Sequence, residues 1–437
     1  MEYPRIVIAA PKSGSGKTTV TCGLLAALKK MNIEACSFKC GPDYIDPMFH
    51  RNVLGIPSGN LDTFFTDKET VREIFVREYK GDIAVVEGVM GLYDGVGGIE
   101  IEGSTYDVAK ALKSPIVLVV DVKGCGRSVL AQIKGFLDFD TEHLIKAVIL
   151  NKTSKGYGNI LKPLIEKELD IRCLGCIENR EEVSFSTRHL GLVTPEEIPD
   201  IQDKLKELGE MTMEGIDIIS LLALSWENAL NSNLVEREYE TVSEVKKAVP
   251  KVRVAIARDN AFCFYYRENL ELLLSYGVEP VFFSPIKDKK LPENINGLIL
   301  GGGYPENYLK ELSGNSSMLL DIKEKLSDDL PVIAECGGFM YLTEGIRDKE
   351  GCFYPMVGFI KAKASWIGKT VRFGYAYLTD KDGNTIKGHE FHYFDTDNNG
   401  EAFMAVKPTG NRSWKCMHKI GASFMGFPHL YYPSNPE

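Results

Sequence analysis

The chain has 437 residues, a formal net charge of −10 at pH 7, 44% hydrophobic residues and 26% charged residues. This length predicts two or three domains, because a single hydrophobic core rarely organises more than about 250–300 residues. The acidic balance argues against a nucleic-acid partner. No apolar run approaches the roughly 20 residues that span a bilayer. The ten cysteines lack framework spacing, which favours reduced thiols in a cytoplasmic protein.

The first predicted element is a phosphate-binding loop at residues 12–19, Lys-Ser-Gly-Ser-Gly-Lys-Thr-Thr, set between an apolar strand at 5–10 and a helix at 20–28. Such a loop turns its backbone N–H groups toward phosphate at a helix N-terminus. Lys17 would bridge the terminal phosphates, and the Thr18 hydroxyl would complete a Mg²⁺ shell. An ordinary glycine turn is the alternative interpretation. The ATP-binding residues predicted here are Lys12, Gly14, Ser15, Gly16, Lys17, Thr18 and Thr19.

Further strands are predicted at 35–39, 83–88, 115–121 and 147–151, each separated from the next by a helix-length segment. Continuous apolar strands in this arrangement indicate an α/β fold with a parallel sheet covered on both faces. Functional sites in such sheets lie beyond the carboxyl ends of the strands. We therefore expect one rim to gather the polar residues that end or follow these strands, namely Lys39, Asp43, Asp46, Glu87, Asp94, Asp121 and Asn151.

Residues 231–250 are charged and lack an apolar period, which predicts a linker between an N-terminal domain at 1–230 and a C-terminal domain at 251–437. The second domain begins with a strand at 252–257. Another strand meets the triple glycine 301–303, and a third ends just before Cys336.

Cys336 lies between an apolar strand and a Gly-Gly pair, which is the arrangement of a nucleophile elbow. We expect a helix N-terminus there to lower the pKa of the thiol, and Gly301 and Gly302 to stabilise an oxyanion. A buried structural cysteine is the alternative. A base is also needed, and spacing alone does not choose among the four histidines that follow, His389, His392, His418 and His429.

Several motifs together resemble the cobyrinic acid a,c-diamide synthase family, over nearly the whole chain. They are the segments 10–19, 38–47, 86–95, 188–192, 334–338, 388–392 and 429–436. The resemblance implies a dethiobiotin-synthetase-like P-loop NTPase domain followed by a flavodoxin-like class I glutamine amidotransferase domain. It also implies Cys336 as the glutaminase nucleophile and His429 as its base. Many class I amidotransferases carry a glutamate two residues after this histidine, where the chain has Tyr431, so the residue that orients the imidazole stays open.

The implied reaction is ATP-dependent phosphorylation of a corrinoid or related tetrapyrrole carboxylate, followed by attack of ammonia from glutamine. Around Mg²⁺ we expect Thr18, Glu87 and one of Asp43 or Asp46, because hard oxygen ligands suit this ion. Lys39 would neutralise the substrate carboxylate, alongside Asp46 and Glu87 as catalytic groups. Tyr44, Asp46 and Asp94 would contact the ring, and Asn151 would read the adenine edge, as in the dethiobiotin synthetase fold.

Two kinds of alternative remain at this point, another acceptor and another class of protein. The acceptor could be hydrogenobyrinic acid or nickel sirohydrochlorin, or other ring carboxylates as in cobyric acid synthase. A protein of another class, an ATP-driven switch of the partitioning type, shares the lysine-rich phosphate loop but has no reason to carry Cys336 and His429. We also expect no membrane partner and a possible homodimer.

Overall fold

The computed structural model describes residues 2–178, 187–188, 191–192, 201–227, 230–231 and 252–436. The chain forms two compact units, Met1–Glu238 and Tyr239–Glu437. The predicted linker at 231–250 lies outside the described residues except at its first position, Asn231. None of the described helices is long and apolar enough to cross a membrane.

The first unit alternates strands with helices. Its strands are β1 (Glu2–Tyr3), β2 (Arg5–Ala9), β3 (Ala35–Cys40), β4 (Ser58–Leu61), β5 (Ile83–Glu87), β6 (Ile116–Asp121), β7 (Ile145–Asn151), β8 (Arg172–Ile177), β9 (Thr187–Arg188), β10 (Gly191–Leu192) and β11 (Leu230–Asn231). Its helices are α1 (Lys17–Lys30), α2 (Ile45–Phe49), α3 (Lys68–Glu78), α4 (Thr105–Leu112), α5 (Ser128–Phe139), α6 (Lys155–Leu169), α7 (Ile201–Gly215) and α8 (Ile218–Trp226).

Seven of these strands form one sheet in the order β4-β3-β5-β2-β6-β7-β8, and every neighbouring pair is parallel. Strands β2 and β5 are buried along their whole length, as expected when helices cover both faces of a parallel sheet. The sequence-based prediction of a parallel α/β sheet is confirmed. Because the strands run in one direction, the residues that follow β2, β3, β5, β6 and β7 meet at one edge.

Helix α1 begins directly after the glycine-rich loop. Its N-cap, Gly16, has a φ of 96° and no side-chain cap, so the first backbone N–H groups are available for a ligand. Lys29 and Lys30 lie in the last turn, where positive charge complements the helix dipole. The N-terminus of α1 is therefore suited to bind an anion, and the two lysines stabilise its C-terminus.

The second unit has a larger share of strand. Its strands are β12 (Val252–Ala257), β13 (Val278–Phe283), β14 (Gly297–Leu300), β15 (Val332–Glu335), β16 (Thr343–Arg347), β17 (Phe353–Pro355), β18 (Ile360–Asp380), β19 (Thr385–Thr396), β20 (Phe403–Val406), β21 (Ser413–Cys416), β22 (His418–Ile420), β23 (Ser423–Gly426) and β24 (His429–Leu430). Its helices are α9 (Arg267–Ser275), α10 (Leu309–Gly314), α11 (Ser316–Ser327) and α12 (Gly337–Leu342).

These strands form two sheets. The first has the order β13-β12-β14-β15-β23-β22, in which only the β22 pairing is antiparallel. The second has the order β17-β16-β18-β19-β24, with β20 paired to β18 and β21 paired to β20. Strand β15 ends at Glu335 beside Gly426 of β23, and β24 pairs His429 with His389 of β19. The two sheets therefore bring Cys336 and His429 toward the same region of the unit.

Candidate functional sites

The phosphate loop is shaped by glycines and supported by Asn151. A Cβ at Gly16 would lie 2.0 Å from Asn151 Nδ2, and the positive φ of Gly16 also disfavours any side chain. Asn151 Nδ2 donates a hydrogen bond of 2.8 Å to the carbonyl oxygen of Ser15. The described role of Asn151 is therefore to support the loop, and its contact with adenine stays a prediction.

Two lysines make hydrogen bonds at the phosphate loop, and only one of them, Lys17, belongs to the predicted motif. Lys17 is buried and its Nζ donates to the carbonyl oxygen of Met90. Burial, with Lys39 nearby, lowers the pKa of Lys17 to about 8, so an anionic ligand would stabilise its charged form. Lys152, which the sequence analysis missed, donates to Gly14 O at 2.9 Å and to Asp121 Oδ2 at 2.6 Å. Lys12 is exposed, and Thr19 is partly buried.

Behind the loop lies a buried charge cluster formed by Lys39, Asp46 and Glu87, three of the predicted catalytic residues. Lys39 Nζ lies 2.6 Å from Asp46 Oδ2 and 2.8 Å from Glu87 Oε1. Glu87 Oε1 also accepts a hydrogen bond of 2.6 Å from Thr18 Oγ1. The structure therefore brings β3, α2, β5 and α1 to one point.

Burial and mutual attraction set the charge of this cluster. Burial, together with Asp46, raises the pKa of Glu87 to about 7. Burial alone would lower the pKa of Lys39, but the carboxylates of Asp46 and Glu87 outweigh it and raise that pKa. Burial likewise opposes ionisation of Asp46, yet the Lys39 ammonium holds the pKa of Asp46 below its usual value. Lys39, only 4% exposed, is therefore the counter-ion of Asp46 and Glu87 in this structure, and its contact with the substrate carboxylate stays a prediction.

His50 is a member of this cluster that the sequence analysis missed. It opens a single π-helical turn, His50–Leu54, a rare geometry that is frequent at functional sites. Its Nε2 lies 3.8 Å from Glu87 Oε2, and its Nδ1 lies 3.0 Å from the Ser37 hydroxyl. Burial lowers the pKa of His50 to about 4, so a neutral imidazole stands behind Glu87. No local sequence pattern signals this contact.

The remaining predicted substrate residues lie in turns around the cluster. Asp43 Oδ1 accepts from the backbone N–H groups of Ile45 and Asp46 at 2.8 and 3.2 Å. Burial, with Asp46 nearby, raises the pKa of Asp43 to about 6. Tyr44 is buried, and Asp94 Oδ2 accepts from Gly91 N at 2.9 Å. Asp43 and Asp94 thus organise their own turns as well as lying near the strand ends.

Thr18 and Glu87 fit the requirements of Mg²⁺. Glu87 Oε2 is buried and accepts no hydrogen bond from any residue that the structure describes, while the Thr18 hydroxyl lies against the other carboxylate oxygen. Within the described ranges, no group of three or more His, Cys, Asp or Glu residues has metal-binding geometry. Thr18 and Glu87 suit Mg²⁺, because this ion takes one or two protein ligands and completes its shell with phosphate and water oxygens.

In the second unit, Cys336 occupies a strained turn between β15 and α12. Its φ is 48° and its ψ is −104°, and its N–H donates to Gly426 O at 2.8 Å. The Gly-Gly pair is required sterically. A Cβ at Gly338 would lie 2.0 Å from Leu300 O, and one at Gly337 would lie 2.9 Å from Pro305 Cδ. The predicted elbow is present, and Cys336 is 7% exposed.

The expected lowering of the thiol pKa is not found. Burial raises the pKa of Cys336, and the nearby carboxylates of Glu306 and Glu390 raise it further. Helix α12 has only six residues, so its N-terminal dipole does not overcome this. Cys336 is therefore a neutral thiol and needs a base to become nucleophilic.

Of the four candidate bases, His429 has the surroundings of a catalytic histidine. A Cβ at Gly302 would lie 2.3 Å from His429 Cε1, so only glycine permits this approach. His429 Nδ1 lies 3.7 Å from Oε2 of Glu335, the residue immediately before Cys336. Its ring stacks on His389 with centroids 5.0 Å apart.

The other three histidines are engaged elsewhere. His392 is held by Glu390 Oε2 at 2.7 Å and by Phe394 O at 2.6 Å. His418 Nε2 lies 3.1 Å from Asn398 O. His389 Nδ1 lies 3.3 Å from the Tyr266 hydroxyl, and burial, with His429 and Lys407, lowers the pKa of His389.

The predicted oxyanion donors differ from each other. The Gly301 N–H donates to the Tyr265 hydroxyl at 2.9 Å, so it is already engaged. Gly302 lies against His429, and its carbonyl accepts from Cys263 and Phe264 at 3.0 Å. The backbone N–H of Gly337 partly offsets the rise in the pKa of the Cys336 thiol. The roles of Gly301 and Gly302 as oxyanion donors stay predictions, and Gly337 is a further candidate donor.

Two protein-family models match the chain. The CobQ/CobB/MinD/ParA nucleotide binding domain matches residues 6–192, and the CobB/CobQ-like glutamine amidotransferase domain matches residues 253–426. The first match contains the phosphate loop and the Lys39–Glu87 cluster. The second contains the Cys336 elbow and ends three residues before His429.

Curated relatives match over nearly their full length. A protein from Picrophilus torridus is 38% identical, with 100% of this chain and 97% of the relative covered. Proteins from Clostridium acetobutylicum and Clostridium tetani are 40% and 39% identical, with 98% and 99% of this chain and 97% and 98% of the relatives covered. All three are named cobyrinate a,c-diamide synthase.

Proposed function

The chain belongs to the cobyrinate a,c-diamide synthase family, and from that premise we propose that it amidates the a- and c-side-chain carboxylates of cobyrinic acid, using ATP and glutamine. It is a glutamine-hydrolysing carbon–nitrogen ligase of cobalamin biosynthesis. The observation that carries the proposal is the union, in one chain, of a nucleotide-binding domain and a glutamine amidotransferase domain.

The synthetase step overcomes the low reactivity of a carboxylate toward ammonia. The carboxylate oxygen attacks the γ-phosphorus of ATP, giving an acyl phosphate and ADP. Ammonia then attacks the acyl carbon, and phosphate leaves with loss of one proton to form the amide. The backbone N–H groups of 14–18 and the Lys17 ammonium hold the phosphates, so the loop contributes mainly positioning and charge neutralisation.

Bound Mg²⁺ would supply charge neutralisation at the β- and γ-phosphates, with Thr18 Oγ1 and Glu87 as its protein ligands and Asp43 as a nearby carboxylate. Lys39 favours the ionised forms of Asp46 and Glu87 within a buried site and so opposes the effect of burial, which raises the pKa of Glu87. Tyr44, Asp46 and Asp94 are the proposed contacts to the ring, and Asn151 supports the loop that carries the nucleotide.

The glutaminase step uses Cys336 and His429. His429 takes the thiol proton, and the thiolate attacks the side-chain amide carbon of glutamine. The N–H groups of Gly302 and Gly337 stabilise the oxyanion, and His429 returns the proton to the leaving ammonia. Water then hydrolyses the glutamyl thioester to glutamate, which regenerates the thiol.

A substrate panel tests this proposal. The protein, with ATP, Mg²⁺ and glutamine, is incubated separately with cobyrinic acid, hydrogenobyrinic acid and nickel sirohydrochlorin, and the products are weighed by mass spectrometry. Two successive replacements of OH by NH₂ on cobyrinic acid are expected. If only hydrogenobyrinic acid or only nickel sirohydrochlorin is diamidated, that ring replaces cobyrinic acid as the proposed substrate. ATP hydrolysis without amidation of any ring would favour a switch-type ATPase.

A further inference from the structure

The glutaminase histidine needs an acidic partner, and the position two residues later does not supply one. Tyr431 stands there, and its ring packs edge-on against Tyr266 with centroids 5.3 Å apart. A histidine that accepts a proton from a thiol works best when a carboxylate fixes its tautomer and stabilises the imidazolium. The question is which carboxylate reaches His429.

Glu335 reaches it from a different strand. Its Oε2 lies 3.7 Å from His429 Nδ1, and both side chains are almost fully buried, at 6% and 3% exposure. Its Oε1 accepts a hydrogen bond of 3.2 Å from the Tyr432 hydroxyl. Glu335 ends β15 and pairs with Gly426 of β23, so its backbone is fixed by the same sheet that presents Cys336.

We propose that Glu335 is the positioning residue of the glutaminase site, taking the place of the glutamate that is missing after His429. The carboxylate holds the proton on Nδ1, which leaves Nε2 to accept the proton of the Cys336 thiol. When that proton moves, the new imidazolium forms a buried ion pair with Glu335. This inference rests on the proposed glutaminase function and names the residue that makes its base effective.

The other groups around His429 leave this role to Glu335. His389 of β19 stacks on the ring, and burial keeps it neutral. Phe264 packs 6.5 Å away, and the Tyr266 hydroxyl faces His389 instead. Glu306 and Glu390 act on the Cys336 thiol, and Glu390 is bound by Arg372, His392 and Trp414.

The sequence order makes this arrangement compact. The nucleophile and the residue that positions its base are neighbours in the chain, Glu335 and Cys336. Because successive residues at a strand end point in different directions, Glu335 reaches His429 while Cys336 turns into the strained elbow. A single strand end thus fixes two members of the site.

The test is the pH profile of glutamine hydrolysis by the full-length protein, followed as glutamate release without any acceptor. In Glu335→Gln we expect kcat to fall by roughly 10²-fold. The acid limb of kcat/KM should move to lower pH by about one unit, because loss of a buried negative charge disfavours the imidazolium. Glu344→Gln, an exposed acid-to-amide change in the same unit, is the matched control and should match the wild type in both readouts.

Two further variants keep the test decisive. Glu335→Asp retains the charge and should recover part of kcat with the acid limb near its wild-type position. Tyr432→Phe removes the hydrogen bond to Glu335 and concentrates charge on the carboxylate, so the acid limb should move slightly to higher pH. If Glu335→Gln fails to fold, judged by its thermal unfolding, the opposite shift in Tyr432→Phe carries the test.

An unchanged kcat and acid limb in Glu335→Gln would overturn the inference, as would an unmoved profile in Tyr432→Phe when the Gln variant does not fold. A wild-type protein that releases no glutamate would instead contradict the proposed function, because that result concerns Cys336 and His429 before Glu335 is altered.

Discussion

Thr18 donates a hydrogen bond of 2.6 Å from its hydroxyl to Glu87 Oε1, joining the first turn of α1 to the end of β5. The same carboxylate oxygen receives the Lys39 ammonium at 2.8 Å. The phosphate loop and the buried acid–base cluster therefore form one unit. Any change in Glu87 should act on nucleotide chemistry rather than on the fold alone.

Glu87→Gln tests this connection. The amide keeps the size of the side chain but loses the charge that would hold Mg²⁺ and that balances Lys39. We expect ATP-dependent amidation to fall by roughly 10²-fold or more with either glutamine or ammonia, while ATP-free glutamine hydrolysis stays near the wild-type rate. Steady-state assays with both nitrogen donors measure this, and amidation at the wild-type rate would contradict the role of Glu87.

Gly16→Ala should abolish nucleotide binding. The new Cβ would lie 2.0 Å from Asn151 Nδ2 at a φ of 96°, so the loop must distort. Gly124→Ala is the matched control, because Gly124 also has a positive φ, 72°, but open space around a Cβ. Calorimetric titration with ATP should show a loss of affinity of roughly 10²-fold or more for Gly16→Ala only. Equal affinities in the two variants would count against the assigned loop.

Gly302→Ala should disable glutamine hydrolysis. Its Cβ would lie 2.3 Å from His429 Cε1, and displacement of the imidazole from the thiol should cost roughly 10²-fold in kcat. Gly314→Ala adds a Cβ where nothing lies within 4 Å and serves as the control. Ammonia-dependent amidation should persist in both variants. A fully active Gly302→Ala glutaminase would show that His429 is not the base.

His50 should make the stability of the first unit pH-dependent. Burial lowers its pKa from 6.5 to about 4, so the unfolded chain binds the extra proton first as the pH falls. The sign follows: stability decreases as the pH drops from 6.5 toward 4, by up to about 3 kcal/mol for a shift of this size.

His50→Gln removes that titration. We expect the free energy of unfolding of the wild type to fall more steeply than that of the variant between pH 6.5 and 4. Urea unfolding of both proteins at several pH values measures the difference. Parallel slopes would mean that His50 is not buried in its neutral form.

Local patterns were sufficient to predict the parallel sheet, the phosphate loop and the Cys336 elbow. Each depends on residues close in sequence: an apolar run, a glycine turn and a helix start. The position of polar residues at strand ends was also predictable, because parallel strands carry their carboxyl ends to one edge.

Contacts between distant strands were not predictable. Glu335 meets His429 only because β15 and β24 belong to sheets that converge. The Gly301 N–H donates a hydrogen bond to the hydroxyl of Tyr265, which lies 36 residues earlier in the chain. The pairing of Lys39 with two buried carboxylates was not predicted, and the expected lowering of the Cys336 thiol pKa was wrong, for one physical reason. Burial and neighbouring charges, which depend on tertiary packing, determine their ionisation.

The most direct test of the whole account compares the two nitrogen donors in two variants. Cys336→Ala should lose glutamine-dependent amidation of cobyrinic acid and keep ammonia-dependent amidation, whereas Lys17→Ala should lose both. Mass spectrometry of the products reads both outcomes. Loss of ammonia-dependent amidation in a folded Cys336→Ala variant, or retained amidation in Lys17→Ala, would contradict separate synthetase and glutaminase sites.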